Sequence, residues 1–218
     1  MQLTDIVLFS QRVDVNDNYH ERRDCIDQRM ILFLKECGYL PIAIPNIIGI
    51  VPEYFRKFPS KAIILTGGNS LEKYGGNAPE RDKIDNYLIE QSVKNNIPLV
   101  GICRGMQSIL EYFGEKLVNI SGHVANRHFI SSLITDKVCF NREVNSFHNQ
   151  GVYEMSNKDL IPLAKSNDGV LKAVVHKNKP IMGIMWHPER EFPFSNYDVN
   201  LFNSFIEQGK IDINGIGE

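Results

Sequence analysis

The sequence predicts an α/β fold built on a mainly parallel, doubly wound sheet. Three observations carry that reading. Short apolar runs alternate with amphipathic helical patterns over residues 3–113, the order expected of βα units. Glycine follows the apolar runs and the helices where a tight turn is needed, as at Gly38, Gly67, Gly68 and Gly114. The composition is that of an ordinary globular chain: 218 residues, 43% hydrophobic, 23% charged, net charge -2.

Leu3 to Ser10 reads as the first strand. Asp24 to Cys37 reads as a helix with Ile26, Met30, Ile31, Phe33 and Leu34 on one face and Gly38 as its stop. Leu40 to Ile44 is a second strand, ended by Pro45, and Ala62 to Thr66 a third. Pro79 to Lys94 is helical, with Ile84, Leu88 and Val93 inward. Leu99 to Ile102 is a fourth strand feeding a helix from Arg104 to Phe113. Beyond Gly114 the pattern changes to short strands at Val138–Val144, Val152–Met155, Leu171–His176 and Ile181–Met185, separated by Asn, Gly, Asp and Pro turns. A closing helix runs from about Val199 to Gln208. No repeat, low-complexity segment or linker interrupts the chain, so one domain over 1–218 is expected.

The charge balance gives no broad basic face, so nucleic acid is not an expected partner. No apolar run reaches the roughly 18 residues of a membrane span, and MQLTDIVLFS lacks the basic region of a signal peptide. A cytoplasmic protein is expected, with no membrane partner. Cys25, Cys37, Cys103 and Cys139 show no C-x-x-C spacing, so neither a zinc site nor a dithiol motif is expected. Buried apolar thiols are the plain reading for Cys25, Cys37 and Cys139.

Cys103 stands apart because of its neighbours, Leu99-Val-Gly-Ile-Cys-Arg-Gly-Met-Gln107. An apolar strand, a G-x-C-x-G turn and a helix form a nucleophile elbow with Cys in place of Ser. Gly101 and Gly105 clear space around a strained turn that lifts the sulfur above the sheet edge. The helix start offers free N–H groups and a positive dipole end, both favourable to thiolate, and the Arg104 N–H is placed for an oxyanion. The alternative is a structural Cys before an ordinary turn. Of the histidines, His20, His123, His128, His148, His176 and His187, the last is set apart by Met185-Trp-His-Pro-Glu189. It should follow the last apolar strand at its carboxyl end, where open α/β sheets place their sites. Glu189 is placed to orient its imidazole, completing a Cys-His-acid set. The alternative for Glu189 is a solvated carboxylate in a Pro turn.

Gly101-Ile-Cys-Arg-Gly-Met-Gln107 with Trp186-His-Pro-Glu189 resembles the class I glutamine amidotransferase superfamily, and within it the free-standing γ-glutamyl hydrolase branch, peptidase family C26. Leu65-Thr-Gly-Gly-Asn69, Arg81-Asp-Lys-Ile-Asp85, and Val144-Asn-Ser-Phe-His-Asn-Gln150 with Ser166-Asn-Asp-Gly169 resemble further segments of that branch. The resemblance spans about residues 3–207. It implies a flavodoxin-like fold with helices on both faces of the sheet and a smaller antiparallel region. It implies Cys103 as nucleophile, His187 as base, Glu189 as its orienter, and Gly68 and Arg104 as oxyanion N–H donors. Gln107 would contact the amino-acid end of a γ-glutamyl group, with Ser146 and Phe147 nearby. His148 would form a site wall, and could compete for the base role but lacks the acid neighbour. No cofactor or metal is implied.

The implied reaction is hydrolysis of a γ-glutamyl amide through a γ-glutamyl thioester. Two alternatives stay open: a glutaminase subunit delivering ammonia to a partner synthase, and a non-catalytic binding protein on the same fold. The expected partner is a small γ-glutamyl compound, and a homodimer is open to such a chain. The stretch Gln11 to Arg29 carries Arg12, Arg22, Arg23 and Arg29 where the family places a site-flanking loop and helix. Arg22 and Arg23 are candidates to hold an anionic, nucleotide-linked leaving group, since guanidinium forks suit phosphate. A solvated face is the alternative. Within the branch the chain resembles hydrolases that act on γ-glutamyl-CDP-amidate in capsule phosphoramidate biosynthesis. Polyamine-pathway γ-glutamyl compounds, of the γ-aminobutyrate type, are the other candidates.

Overall fold

The computed structural model describes residues 5–134 and 140–211. One nine-stranded sheet organises it. Ile6–Ser10 (β1) is buried throughout and pairs in parallel with both Leu40–Ile44 (β4) and Ala62–Leu65 (β5). Leu99–Ile102 (β6) continues the parallel run between β5 and Ile181–Ile184 (β13). From β13 the pairing turns antiparallel through Leu171–His176 (β12), Leu160–Ser166 (β11), Val124–Ser132 (β8) and Arg142–Phe147 (β9). The antiparallel region is thus an extension of the same sheet. Strands β5, β6 and β13 have no exposed residue, as expected of strands covered by helices on both faces.

Two helix layers cover the sheet. Gln28–Glu36 (α1) and Asn196–Gln208 (α5) meet through Phe33 and Phe202, whose rings cross edge-to-face at 5.0 Å. Pro79–Asn95 (α3) and Arg104–Tyr112 (α4) pack together, and α4 lies so close to the sheet that a Cβ at Gly183 would stand 2.8 Å from Met106. Val51–Lys57 (α2) joins β4 to β5.

The structure departs from the sequence reading in several places. Asp24 and Cys25 are not helical. Arg12–Asn16 (β2) and Glu21–Cys25 (β3) form a hairpin, and α1 starts only at Gln28, with Asp27 as cap accepting from the Arg29 N–H. The hairpin is almost fully exposed, Val13 excepted: Val13 and Val15 alternate in β2, but Glu21–Asp24 of β3 offer no apolar residue to mark a partner strand. For the same reason β8 goes unseen, since its residues are mostly exposed. Strand β11 contains Pro162 and register shifts on either side of Ala164, which break its pattern. Val152–Met155 is no strand, because the chain turns there to serve Glu115, whose carboxylate takes the N–H groups of Ser156 and Asn157. Of the strand expected at 138–144, only the part from Arg142 is found, as the start of β9, and residues 135–139 lie outside the described range. Two short strands, Val118–Asn119 (β7) and Gln150–Gly151 (β10), pair beside the site.

Candidate active site

Parallel strands β5, β6 and β13 deliver three segments to one carboxyl edge: Thr66–Asn69, Cys103 and His187. Cys103 has φ +51° and ψ −102°, a strained conformation for a residue with a side chain, and its N–H donates to the Ile184 carbonyl at 2.7 Å. The glycines around it are steric necessities. A Cβ on Gly101 would lie 2.6 Å from the Gly105 backbone, and one on Gly105 would run into the Leu65 carbonyl. Helix α4 begins at Arg104 with no side-chain cap, so its first N–H groups are left for a ligand.

His187 is buried and held from three directions. Its Nδ1 faces Glu189 Oε1 at 2.6 Å. Its backbone N–H donates to Asn145 Oδ1 at 2.8 Å, and its carbonyl accepts from Asn145 Nδ2 at 2.8 Å. Phe147 packs its ring edge-on at 5.7 Å. Burial pushes the imidazole pKa down, but the facing Cys103 sulfur and the Glu189 carboxylate more than offset it and raise it to about 9. At neutral pH the imidazole therefore carries its proton.

The Gly-rich end of β5 forms the opposite wall. A Cβ on Gly67 would stand 2.6 Å from His187 Cε1, and Gly68 has φ +87°. Arg81, fully buried, donates to three successive carbonyls, those of Thr66, Gly67 and Gly68. In a trans peptide the N–H points opposite to the C=O. Pulling these carbonyls toward α3 therefore turns the N–H groups of Gly68 and Asn69 the other way. Arg104 is likewise fixed from behind, its buried guanidinium paired with Asp82 and Asp85. The R-D-x-x-D motif thus has a structural role: Arg81 sets the Gly67–Gly68 backbone, and its two acids anchor Arg104, the residue after Cys103.

Gln107 Nε2 donates to the Gln150 carbonyl at 3.0 Å, and His148 Nδ1 lies 2.9 Å from the same oxygen. Ser146 and His148 are buried against Lys172, which is fully buried and was not singled out from the sequence. Phe147 is partly exposed beside His187, with the Arg190 guanidinium 4.3 Å above its ring.

The structure does not bring Arg22 and Arg23 to Cys103, His187 and Glu189. Arg22 is committed to Glu80 at 2.7 Å and to the Asn77 carbonyl at 2.7 Å, tying the hairpin to α3, and Arg23 pairs with Glu21 on the exposed face. Arg12 and Arg190 instead line a cavity of about 340 Å³ next to His187, Gly67 and Gly68, closed by Asp14, Cys25, Asp27 and Met30. Cys25 is accordingly half-buried at that cavity rather than a core thiol. Cys37 is buried in the core, and Cys139 lies outside the described residues. His20 sits exposed in the hairpin turn, and His176 Nδ1 accepts from the N–H groups of Asn178 and Lys179.

Among the described residues one group, His123, His128 and Asp168, brings metal-type donors within 4.8 Å of one another. The two rings stack at 4.0 Å and 9°, so their in-plane lone pairs run side by side, and Lys172 occupies His123 Nδ1 at 2.9 Å. That donor set serves hydrogen bonds and does not fit a cation.

The model of the family peptidase C26 matches residues 6–189, from the first strand to the acid after His187. The chain belongs to the peptidase C26 family. It is 35% identical over 196 residues to the γ-glutamyl-CDP-amidate hydrolase of Campylobacter jejuni, covering 87% of this chain and 92% of that one. It is 27% identical over 221 residues to the γ-glutamyl-γ-aminobutyrate hydrolase of Escherichia coli K12, covering 83% and 85%. In fold, this C26 chain is similar to a glutamine amidotransferase from Thermotoga maritima, with TM-score 0.61, 19% identity and coverage of 96% and 86%. A putative GMP synthase component from Thermoplasma acidophilum gives TM-score 0.67, 21% identity and coverage of 93% and 92%. Among the described residues no helix is long and apolar enough to cross a membrane.

Proposed function

We propose that this protein is a cytoplasmic γ-glutamyl amide hydrolase that works through a γ-glutamyl thioester on Cys103. The observation that carries the reading is His187, buried beside Cys103 with its Nδ1 2.6 Å from Glu189 Oε1, at the carboxyl edge of the parallel strands. The Cys103 thiolate attacks the γ-carbonyl. The Gly68 and Arg104 N–H groups hold the oxyanion that forms. His187 gives its proton to the leaving nitrogen as the C–N bond breaks, and then takes one from the water that cleaves the thioester to glutamate. Gln107, with Ser146 and Phe147 beside it, receives the glutamyl amino-acid end.

For the leaving group we favour a nucleotide-linked phosphoramidate, γ-glutamyl-CDP-amidate, which would place the reaction in capsule phosphoramidate synthesis. Two things support this over a polyamine-type conjugate: the higher identity to the Campylobacter hydrolase, and a cavity beside the triad that offers two guanidinium groups, Arg12 and Arg190. The test is a mass-spectrometric screen of γ-glutamyl amines, amides and phosphoramidates for glutamate release, with Cys103→Ala as control. No release across the panel by folded protein would sink the reading.

A further inference from the structure

We propose that Lys172 is a positioning residue of the glutamyl pocket: it fixes His123 and His148 each in a single tautomer and, through the Gln150 carbonyl, aims Gln107. Lys172 is fully buried on β12, and its three N–H donors meet three neutral acceptors: His148 Nε2 at 2.8 Å, His123 Nδ1 at 2.9 Å and Ser146 Oγ at 3.0 Å. An ammonium only donates, so both ring nitrogens facing it must be bare lone pairs. The imidazole protons are therefore forced to the far nitrogens. His123 Nε2–H donates to Asp168 Oδ2 at 2.7 Å. His148 Nδ1–H donates to the Gln150 carbonyl at 2.9 Å.

That carbonyl also accepts from Gln107 Nε2 at 3.0 Å, which fixes the Gln107 amide and leaves its oxygen free to accept from a substrate amino group. These groups are thus one connected network: Lys172 donates outward to both histidines, His123 passes its proton bond on to Asp168, and His148 and Gln107 both donate to the Gln150 carbonyl. The same contacts answer which histidine acts as base. His148 has both nitrogens committed, and burial first, then the Lys172 charge, pull its pKa down to about 3. It stays neutral and occupied, whereas His187 keeps its second nitrogen for Cys103.

What Gln107 does in this account rests on the γ-glutamyl reading, whereas the proton placement does not. The test therefore has two arms. In ¹⁵N-histidine spectra at pH 7, assigned with His123→Gln and His148→Gln, the wild type should show His148 protonated on Nδ1 only and His123 on Nε2 only. An imidazolium, or the opposite tautomer at either residue, overturns the proposal without any variant having to fold. In Lys172→Met, similar in length but without donors or charge, His148 should populate both tautomers. KM for γ-glutamyl-p-nitroanilide should rise about tenfold, the factor one misaimed hydrogen bond is worth, with kcat within about threefold. Unchanged tautomers and unchanged KM in a folded variant also overturn it. If no γ-glutamyl compound is cleaved even by the wild type, the functional reading fails, and the spectra still decide the role of Lys172.

Discussion

Replacing Glu189 with Gln tests the central electrostatic claim, because it keeps the shape of the side chain and removes only its charge. The carboxylate lies 2.6 Å from His187 Nδ1, and both residues are buried, so solvent screens the pair little. A hydrogen bond to a charged group contributes about 1.5–3 kcal/mol. Since one pKa unit corresponds to about 1.36 kcal/mol, losing it should lower the His187 pKa by about 1–2 units. From about 9 in the parent protein, the imidazolium would then titrate between about 7 and 8. In the proposed reaction His187 must be protonated to release the leaving amine, so activity should be lost as pH rises through its pKa. The alkaline limb of the kcat/KM profile for glutamate release should therefore move down by the same 1–2 units. At pH 7 the shift alone costs little, but an amide that turns the imidazole into the wrong tautomer should lower kcat by up to about 10⁴. A second readout needs no turnover: the pH at which Cys103 alkylation by iodoacetamide changes rate should shift with the limb. An alkaline limb that stays put in Glu189→Gln, with kcat within a few-fold of the parent, would refute the reasoning and make Glu189 a bystander.

Three further outcomes follow from the same geometry. Gly67→Ala puts a Cβ 2.6 Å from His187 Cε1, and the imidazole cannot retreat because Glu189 and Asn145 hold it. A displacement near 1 Å costs about 10²-fold in kcat, with an unchanged melting temperature as the control. Asp85→Asn leaves the buried Arg104 guanidinium with Asp82 as its sole carboxylate, which should cost about 3 kcal/mol or more, read by urea denaturation. Arg12→Ala should raise KM for a γ-glutamyl nucleotide phosphoramidate about tenfold more than it affects glutamine hydrolysis; Arg190→Ala, which also removes a contact to Phe147 and Glu189, should affect both substrates, and Arg22→Ala, its partner being Glu80, should not discriminate between the two.

The chemistry of this site is more legible in the sequence than its architecture. Cys103 and His187-Pro-Glu189 stand out because a nucleophile at a strand end needs small residues on both sides and a base needs an acid within reach. Those demands act between neighbours in the chain. Strands β5, β6 and β13 are readable for a similar reason, since full burial writes continuous apolar runs. The hairpin β2–β3 and strand β8 are hard to read because they are mostly exposed: β2 alternates at Val13 and Val15, but β3 carries almost only charge and β8 has no regular period. Lys172 is hidden for a different reason. Its partners at 123, 146 and 148 are distant in sequence, and a lysine between Leu171 and Ala173 looks like the polar side of an alternating strand. A charge run says nothing about which guanidinium is already paired, as Arg22 is with Glu80, Arg23 with Glu21 and Arg12 with Asp14. Arg22 turned out to be a latch, while Arg12, near the open end of the same hairpin, faces the cavity.

The first turns of α3 tie these elements together. Asp85 lies one turn on from both Arg81 and Asp82, at i+4 and i+3, so it is the helical neighbour of each at the helix start. From there Arg81 grips the carbonyls of residues 66–68, while the two carboxylates grip Arg104. The two backbone N–H groups we assign to the oxyanion, those of Gly68 and Arg104, lie on different strands' ends, yet both are braced against the same helical turn. Their separation is then set by one rigid element rather than by two independent loops. This accounts for the burial of two guanidinium groups that face no substrate, a costly arrangement unless something must be held still. It also explains why Asp85→Asn should affect kcat beyond its effect on stability: once the Arg104 anchor loosens, one donor drifts while the other stays. An Asp85→Asn protein assayed well below its melting temperature should show reduced kcat with little change in KM. If its kcat per folded molecule equals that of the parent, α3 is only a structural support and the oxyanion donors are positioned by the strands alone.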